Sequence, residues 1–462
     1  MKADLVIRGA RVVTHTGEFL GGVAALDGRI VAVGADHSLP SARREIDAEG
    51  RCLLPGVVDP HCHLGVNYPY DEDLRTETAQ AARGGITTIL LYIRTKEASY
   101  IPFYRERSRV GEENAHIDFG FHFGIQREEH IHEIPQIVEE TGVRSFKLYF
   151  GYEPDNPIGI VPATDGWVYA TMRAAAAIPG GVVSVHCENT GIAVWLKEEL
   201  KATGRQDLAA YTESRPGFCE VETIARMIFL SELTGCPLYV VHTTVAEGPV
   251  LGEAARARGV DVTIETCPHY LTRTAYDDDL DMRAKISPPL RNREELEGLW
   301  RGVLNGGVRS LGSDHVPFFP KEGKDLWTEK PGIVSFPWEL PLLLHEGVHQ
   351  RGLPLSRLVE LNSFAPAVRF GLYPQKGSLG IGADADLVLV DLDEEREVVH
   401  DGKGTCIYEG MRLRGWPVLT VSRGRVVFED GQVDADTSGL GRCVTSPEMS
   451  ANRVSGFAAQ RR

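Results

Sequence analysis

Residues 56–64 read GVVDPHCHL, a β-branched run that opens on a glycine and ends in two histidines spaced two apart. Seven further apolar runs follow it: TTILLYI (87–93), IDFGFHFGI (117–125), SFKLYFGY (145–152), VVSVHCEN (182–189), LYVVHTT (238–244), VTIETCPHYL (262–271) and RSLGSDHVPF (309–318). Longer segments with helical periodicity separate them, among them TETAQAARGG (76–85), WVYATMRAAAAI (167–178), VETIARMIFLSELTG (221–235) and REELEGLWRGVLNGG (293–307). Strands that alternate with helices pair in parallel, and strands covered on both faces read as nearly continuous apolar runs. Eight such units predict an α/β protein, a (β/α)8 TIM barrel, rather than an open sheet.

Outside this stretch the rhythm changes. DLVIRGARVV (4–13), GVAALDGRI (22–30) and VAVGA (31–35) predict short strands joined by tight turns, with Asp27-Gly28 as a hairpin signal. The same texture returns in ADLVLVDLD (385–393) and VLTVSRGRVVFEDGQV (418–433). The two ends are expected to meet in one small β-sandwich built from both chain termini. This divides the chain into 1–54 and 375–433 for the sandwich and 55–374 for the barrel. Residues 434–462 form a weakly patterned tail, read as a mobile segment or an oligomer contact.

The chain has 462 residues, 42% hydrophobic and 25% charged, enough to bury a large core. A net charge of −16 argues against nucleic acid and anionic membrane surfaces as partners. Its eight cysteines show no CxxC spacing, the first residues alternate like a strand, and no apolar run is long enough to span a bilayer. A cytoplasmic protein with reduced thiols is the expectation.

On this fold the chemistry-bearing side chains stand at the carboxyl ends of the strands. Those ends carry His61 and His63, Lys147, His186, His242 and Asp314. Residues i and i+2 of a strand point to one side, so His61 and His63 can grip one ion. Taken alone, Lys147 reads equally well as half of an ion pair with Asp314 or Glu188, and Asp314 as a helix-capping carboxylate. Among four histidines the set reads as a metal centre. A neutral lysine amine there can add carbon dioxide, giving an anionic carbamate able to bridge two ions. Two divalent ions would activate a shared water and polarise a carbonyl, which is equipment for hydrolysing an amide. Imidazole and carboxylate ligands suit zinc, with manganese, cobalt or iron as alternatives.

The ordered set HCH after GVVDP, FKLYFGY (146–152), VHCEN (185–189), VVHTT (240–244), ETCPHYL (265–271), ISPPLR (286–291) and GSDH (312–315) resembles the cyclic-amide branch of the amidohydrolase superfamily. That branch contains dihydropyrimidinases, hydantoinases, allantoinases and bacterial dihydroorotases, and the resemblance spans roughly residues 1–430. It implies that His61, His63, Lys147 and Asp314 hold one ion, and that carbamylated Lys147, His186 and His242 hold the second. Tyr152, five residues after Lys147, is similar to the tyrosine that donates to the substrate carbonyl in hydantoinases. Ser287 matches the position that binds the ring amide. The resemblance further implies that Asp314 is the proton-relaying catalytic group.

Gly65 stands where dihydroorotases carry an arginine (HxHxR), which argues against that activity. The implied reaction is opening of a dihydropyrimidine or 5-substituted hydantoin to an N-carbamoyl amino acid by a metal-activated hydroxide. An allantoinase or another cyclic-imide hydrolase is the alternative. A non-catalytic scaffold relative is disfavoured, because all six ligand positions are kept. The resemblance further implies a homotetramer or dimer. The segment EKPGIVSFPWELPLLL (329–344) lacks the family's substrate-binding asparagine, and its Phe336, Pro337 and Trp338 point to an apolar ring substituent. His269 is expected to be structural or to stand behind the ligands.

Overall fold

In the computed structural model, which describes residues 2–445, the amino-terminal segment forms β1 (Ala3–Thr14), β2 (Gly17–Leu26), β3 (Arg29–Gly34), β4 (Ala42–Asp47) and β5 (Cys52–Pro55). Asp27 and Gly28 take φ of 50° and 76° between β2 and β3, the left-handed pair that the hairpin signal requires. The eight apolar runs become β6 (Val57–Cys62), β7 (Ile86–Ile93), β8 (Asp118–Gly124), β9 (Ser145–Tyr149), β10 (Val182–His186), β11 (Leu238–Val240), β12 (Val262–Thr266) and β13 (Ser310–Leu311). They pair in parallel and in chain order, and every residue in them is buried. A bridge between Cys62 and His315 brings the last run beside the first. The backbone N–H of His63 donates to His315 O and that of Asp314 to His61 O, both at 2.8 Å. The fold is the expected (β/α)8 barrel, nearly closed.

The last strand is far shorter than the run at 309–318 predicts. After Leu311 the chain is diverted by Asp59, whose carboxylate accepts from Ser313 N at 3.0 Å and Ser313 Oγ at 2.5 Å. The intervening helices start and stop as their sequences direct. Thr164 and Asn292 accept from backbone N–H groups at the first turns of Asp165–Ala176 and Arg293–Asn305. Left-handed Gly235 and Gly306 end Gly217–Thr234 and Arg293–Asn305.

The carboxyl-terminal strands β14 (Leu387–Glu397), β15 (Arg412–Ser422), β16 (Arg425–Glu429) and β17 (Gln432–Val433) join β1–β5 in one nine-stranded sheet. The two termini meet where β14 pairs antiparallel with β5. Ile7, Val12, Leu53, Leu387, Leu389 and Val421 share its apolar core. An ionic clamp ties this sheet to the floor of the barrel. Lys376 Nζ contacts Asp118, the first residue of β8, together with Asp386 at 2.7 Å and Asp384 at 3.0 Å. Arg423 Nε adds a 3.1 Å contact to Asp118.

Part of the expected tail is well seated. Val444 N donates to Phe119 O at 2.7 Å, and Arg442 N donates to the Asp118 carboxylate at 2.9 Å. The remainder of the tail, 446–462, lies outside the described residues. Among the described residues no helix is long and apolar enough to cross a membrane.

Candidate metal centre

The six predicted ligand residues converge at the carboxyl end of the barrel, all lining one cleft. His61 Nε2 and His63 Nε2 each lie 3.2 Å from Asp314 Oδ1. One donor atom from each of these three residues falls within 4.8 Å of the others. The His186 and His242 rings stand 4.5 Å apart, and the His61 and His242 rings 5.3 Å. His242 and Asp314 adopt φ of 38° and 46°, left-handed backbone that costs non-glycine residues about 1–3 kcal/mol each and often marks a functional site.

Lys147 sits in the middle of this ring, 1% exposed, with its Nζ 4.7 Å from the centre of the Tyr92 ring. It forms neither ion pair that its sequence left open: no described hydrogen-bond partner reaches Nζ. Burial pulls its ammonium down to about 7, against the opposing charges of Glu265 and Asp314. A neutral amine is thereby available near physiological pH. Imidazoles, a carboxylate and an unpaired buried amine are a donor set that fits divalent ions.

Three acids hold the ring in place, each inside a quoted motif but none singled out there as a site residue. Glu265 Oε1 accepts from His61 Nδ1 at 2.7 Å and from His242 N at 2.9 Å, so one buried carboxylate orients two imidazole-bearing strand ends. Asp59 accepts from His61 N at 3.0 Å while it captures Ser313. Glu188 Oε2 accepts from His186 Nε2 at 2.6 Å and from Arg215 Nη1 at 2.7 Å. Burial pushes the Glu188 carboxyl up, but Arg215 and His186 outweigh it and hold it down at about 2. Asp314 is likewise held below the usual carboxylate range: burial opposes ionisation, and the charges of His61 and His63 prevail. The signal for Glu265 is a charged residue inside an otherwise apolar barrel run.

Tyr152 and Ser287 face the same cleft. The Tyr152 ring lies 4.9 Å from that of His186, and Ser287 Oγ lies 3.5 Å from Glu188 Oε2. Phe336, Pro337 and Trp338 do not line it, contrary to the expectation of an apolar substituent pocket there. Phe336 stacks on His315 at 3.8 Å and is fully buried, so its apolarity serves packing. Pro331 and Gly332 at the start of that loop do reach the cleft. His269 is buried, with neither ring nitrogen bonded, and burial lowers it to about 4.

A profile described as the Amidohydrolase family matches residues 52–427. The chain belongs to the amidohydrolase family. This amidohydrolase is 34% identical to the L-hydantoinase of Paenarthrobacter aurescens over 97% of its own length and all of the relative's. It is 39% identical to an allantoinase of Rubrobacter xylanophilus, over 94% of its length and 96% of the relative's. Among solved structures it is similar to the L-hydantoinase (dihydropyrimidinase) from Arthrobacter aurescens. There the TM-score is 0.87 and the identity 33%, covering 96% of this chain and 99% of that one. The amidohydrolase therefore stands on the cyclic-amide branch as a hydantoinase-like enzyme, and its group of His61, His63 and Asp314 is a candidate metal-binding site.

Proposed function

We propose that this amidohydrolase opens a dihydropyrimidine or 5-substituted hydantoin ring at an amide C–N bond, releasing an N-carbamoyl amino acid. The observation that carries the reading is Lys147, an unpaired amine buried inside a ring of four histidines and one carboxylate. Its Nζ adds carbon dioxide with loss of a proton, becoming a carbamate that serves both halves of the ligand set. His61, His63 and Asp314 complete one half, and His186 and His242 the other. Divalent ions held there, zinc by ligand type, supply the Lewis acidity that lowers the pKa of water and polarises the ring carbonyl. Asp314 accepts the proton of the attacking water and delivers it to the leaving ring nitrogen. The Tyr152 hydroxyl donates to the carbonyl oxygen as negative charge develops on it, and Ser287 binds the ring amide.

Tyr152→Phe is expected to lower kcat about 100-fold with metal content unchanged, the loss typical of one oxyanion donor. A fall in metal occupancy would instead make the tyrosine structural. The overall reading is tested by turnover of dihydrouracil, hydantoins with varied substituents, allantoin and cyclic imides, with metal analysis of the same sample. Ring opening of hydantoins or dihydrouracil with bound divalent metal is the expected result. No turnover of any ring after loading with zinc and bicarbonate would overturn it. The 39% identity to an allantoinase supports a second reading, which exclusive turnover of allantoin would establish.

The eight free cysteines support a reducing compartment, the cytoplasm. A homotetramer or dimer is supported by exposed Phe218, Phe229 and Leu233 on the helix Gly217–Thr234. Sedimentation would measure it.

A further inference from the structure

The metal cleft itself is small, about 50 Å3, and is flanked by an annex of about 300 Å3. Val66, Arg94 and Ile158 line both, so the annex lies directly beside the cleft with these three side chains at the boundary. Tyr92 forms part of the annex wall, and its ring packs edge-on to His61 at 4.7 Å. A group carried by a ring bound at the metal centre and directed past Val66, Arg94 and Ile158 would reach the annex.

The chemistry of that annex is one-sided. Arg94, Lys96 and Arg107 line it, and no aspartate or glutamate does. None of the three makes an ion pair with any described carboxylate, in a chain with 65 acidic against 49 basic side chains. Arg107 is held ready without being neutralised. Its guanidinium lies 4.3 Å from the centre of the Tyr70 ring and 4.8 Å from that of Phe103, while Nε is buried without a hydrogen-bond partner. Its Nη1 comes within 3.1 Å of where a Cβ at Gly65 would stand, and Gly65 has φ +70°. The absent side chain at 65 therefore gives Arg107 its place. Arg94 is braced in turn by the Tyr149 ring at 5.9 Å and a 3.4 Å bond to Ile158 O.

Three cations gathered without a counter-charge repel one another, and their cost is relieved when an anion enters. Planar guanidinium forks match a carboxylate in particular. We propose that the annex selects substrates whose ring substituent ends in a carboxylate, with Arg94, Lys96 and Arg107 as specificity-determining residues. This rests on the ring-opening reading above and names the substrate class within it.

The test compares isosteric pairs on the metal-loaded enzyme: 5-(carboxymethyl)- and 5-(2-carboxyethyl)hydantoin against the corresponding carboxamides, with unsubstituted hydantoin and dihydrouracil alongside. The acids are expected to exceed their amides in kcat/KM by roughly 10- to 100-fold, the worth of one or two charge-assisted hydrogen bonds, mostly through KM. Lys96→Met and Arg107→Met should each lower the acid-to-amide ratio about 10-fold, and the double variant should bring it near one. Lys96 is an exposed side chain, so that variant serves even if Arg107→Met fails to fold. Lys96→Glu should shift preference toward 5-(4-aminobutyl)hydantoin. Turnover of neutral rings with an acid-to-amide ratio at or below one would overturn the annex proposal and leave the ring-opening reading standing. An acid preference untouched by all three variants would overturn it as well. Turnover of no ring at all would remove both.

Discussion

Lys147→Ala is expected to lower kcat/KM by at least about 10³-fold, and metal content to fall below that of the wild type. Lys147 occupies the middle of β9 at the point where His61, His186 and His242 face one another. A lysine kept there for packing would be a poor choice, since its amine is buried without a partner. Removing it should therefore leave the metal-free protein at least as resistant to denaturant as the wild type, while activity collapses. Acetate or propionate should restore part of the activity in Lys147→Ala, by lending the carboxylate that the carbamate supplies. Retention of full turnover, or loss of folding with no change in turnover per folded molecule, would sink the assignment.

Lys376→Met carries the largest expected effect on stability, a loss of about 3–5 kcal/mol. The substitution keeps the aliphatic bulk and removes the charge shared by Asp118, Asp384 and Asp386, all of which are buried. Arg423 still serves Asp118, and Arg29 reaches Asp384 at 2.9 Å. Asp386 is left without a cation, in a setting where burial already lifts its carboxyl to about 6. Denaturant unfolding followed by circular dichroism would measure the loss, and Asp386→Asn in the same chain should return part of it. A Lys376→Met protein within about 1 kcal/mol of the wild type would show that the clamp is incidental.

Much of this architecture is legible in the sequence because barrel strands are covered on both faces. Runs such as ITTILLYI (86–93) need no alternation and stand out against the helical segments. The histidine pair and the stranded lysine announce a site through residue types that are costly to bury. What escapes the sequence depends on partners far apart along the chain. Glu265 reads as a polar residue in a strand until His61, 204 positions away, is found bonded to it. Ser313 reads as a continuation of the last strand until Asp59 draws it out of register. Phe336 and Trp338 look like a substrate wall because apolarity does not say which cavity a ring fills. Arg107, on the helix Tyr100–Asn114, gives no hint that it leans into the space left by Gly65.

The seam between β5 and β14 has a bearing on how the protein is made. β5 is hydrogen-bonded on one side to β1 and on the other to β14, and every residue from 56 to 386 lies between the two partners. During translation one flank of Cys52–Pro55 stays open until the whole barrel has left the ribosome, an interval of roughly 15–65 s at 5–20 residues per second. An unpaired apolar edge held open that long is an invitation to the wrong neighbour. A nascent chain that stops short of β14 is therefore expected to associate more readily than the full chain, which light scattering of truncated and full-length chains would measure. Pairing of β14 with β5 closes that window once the barrel between them has been made.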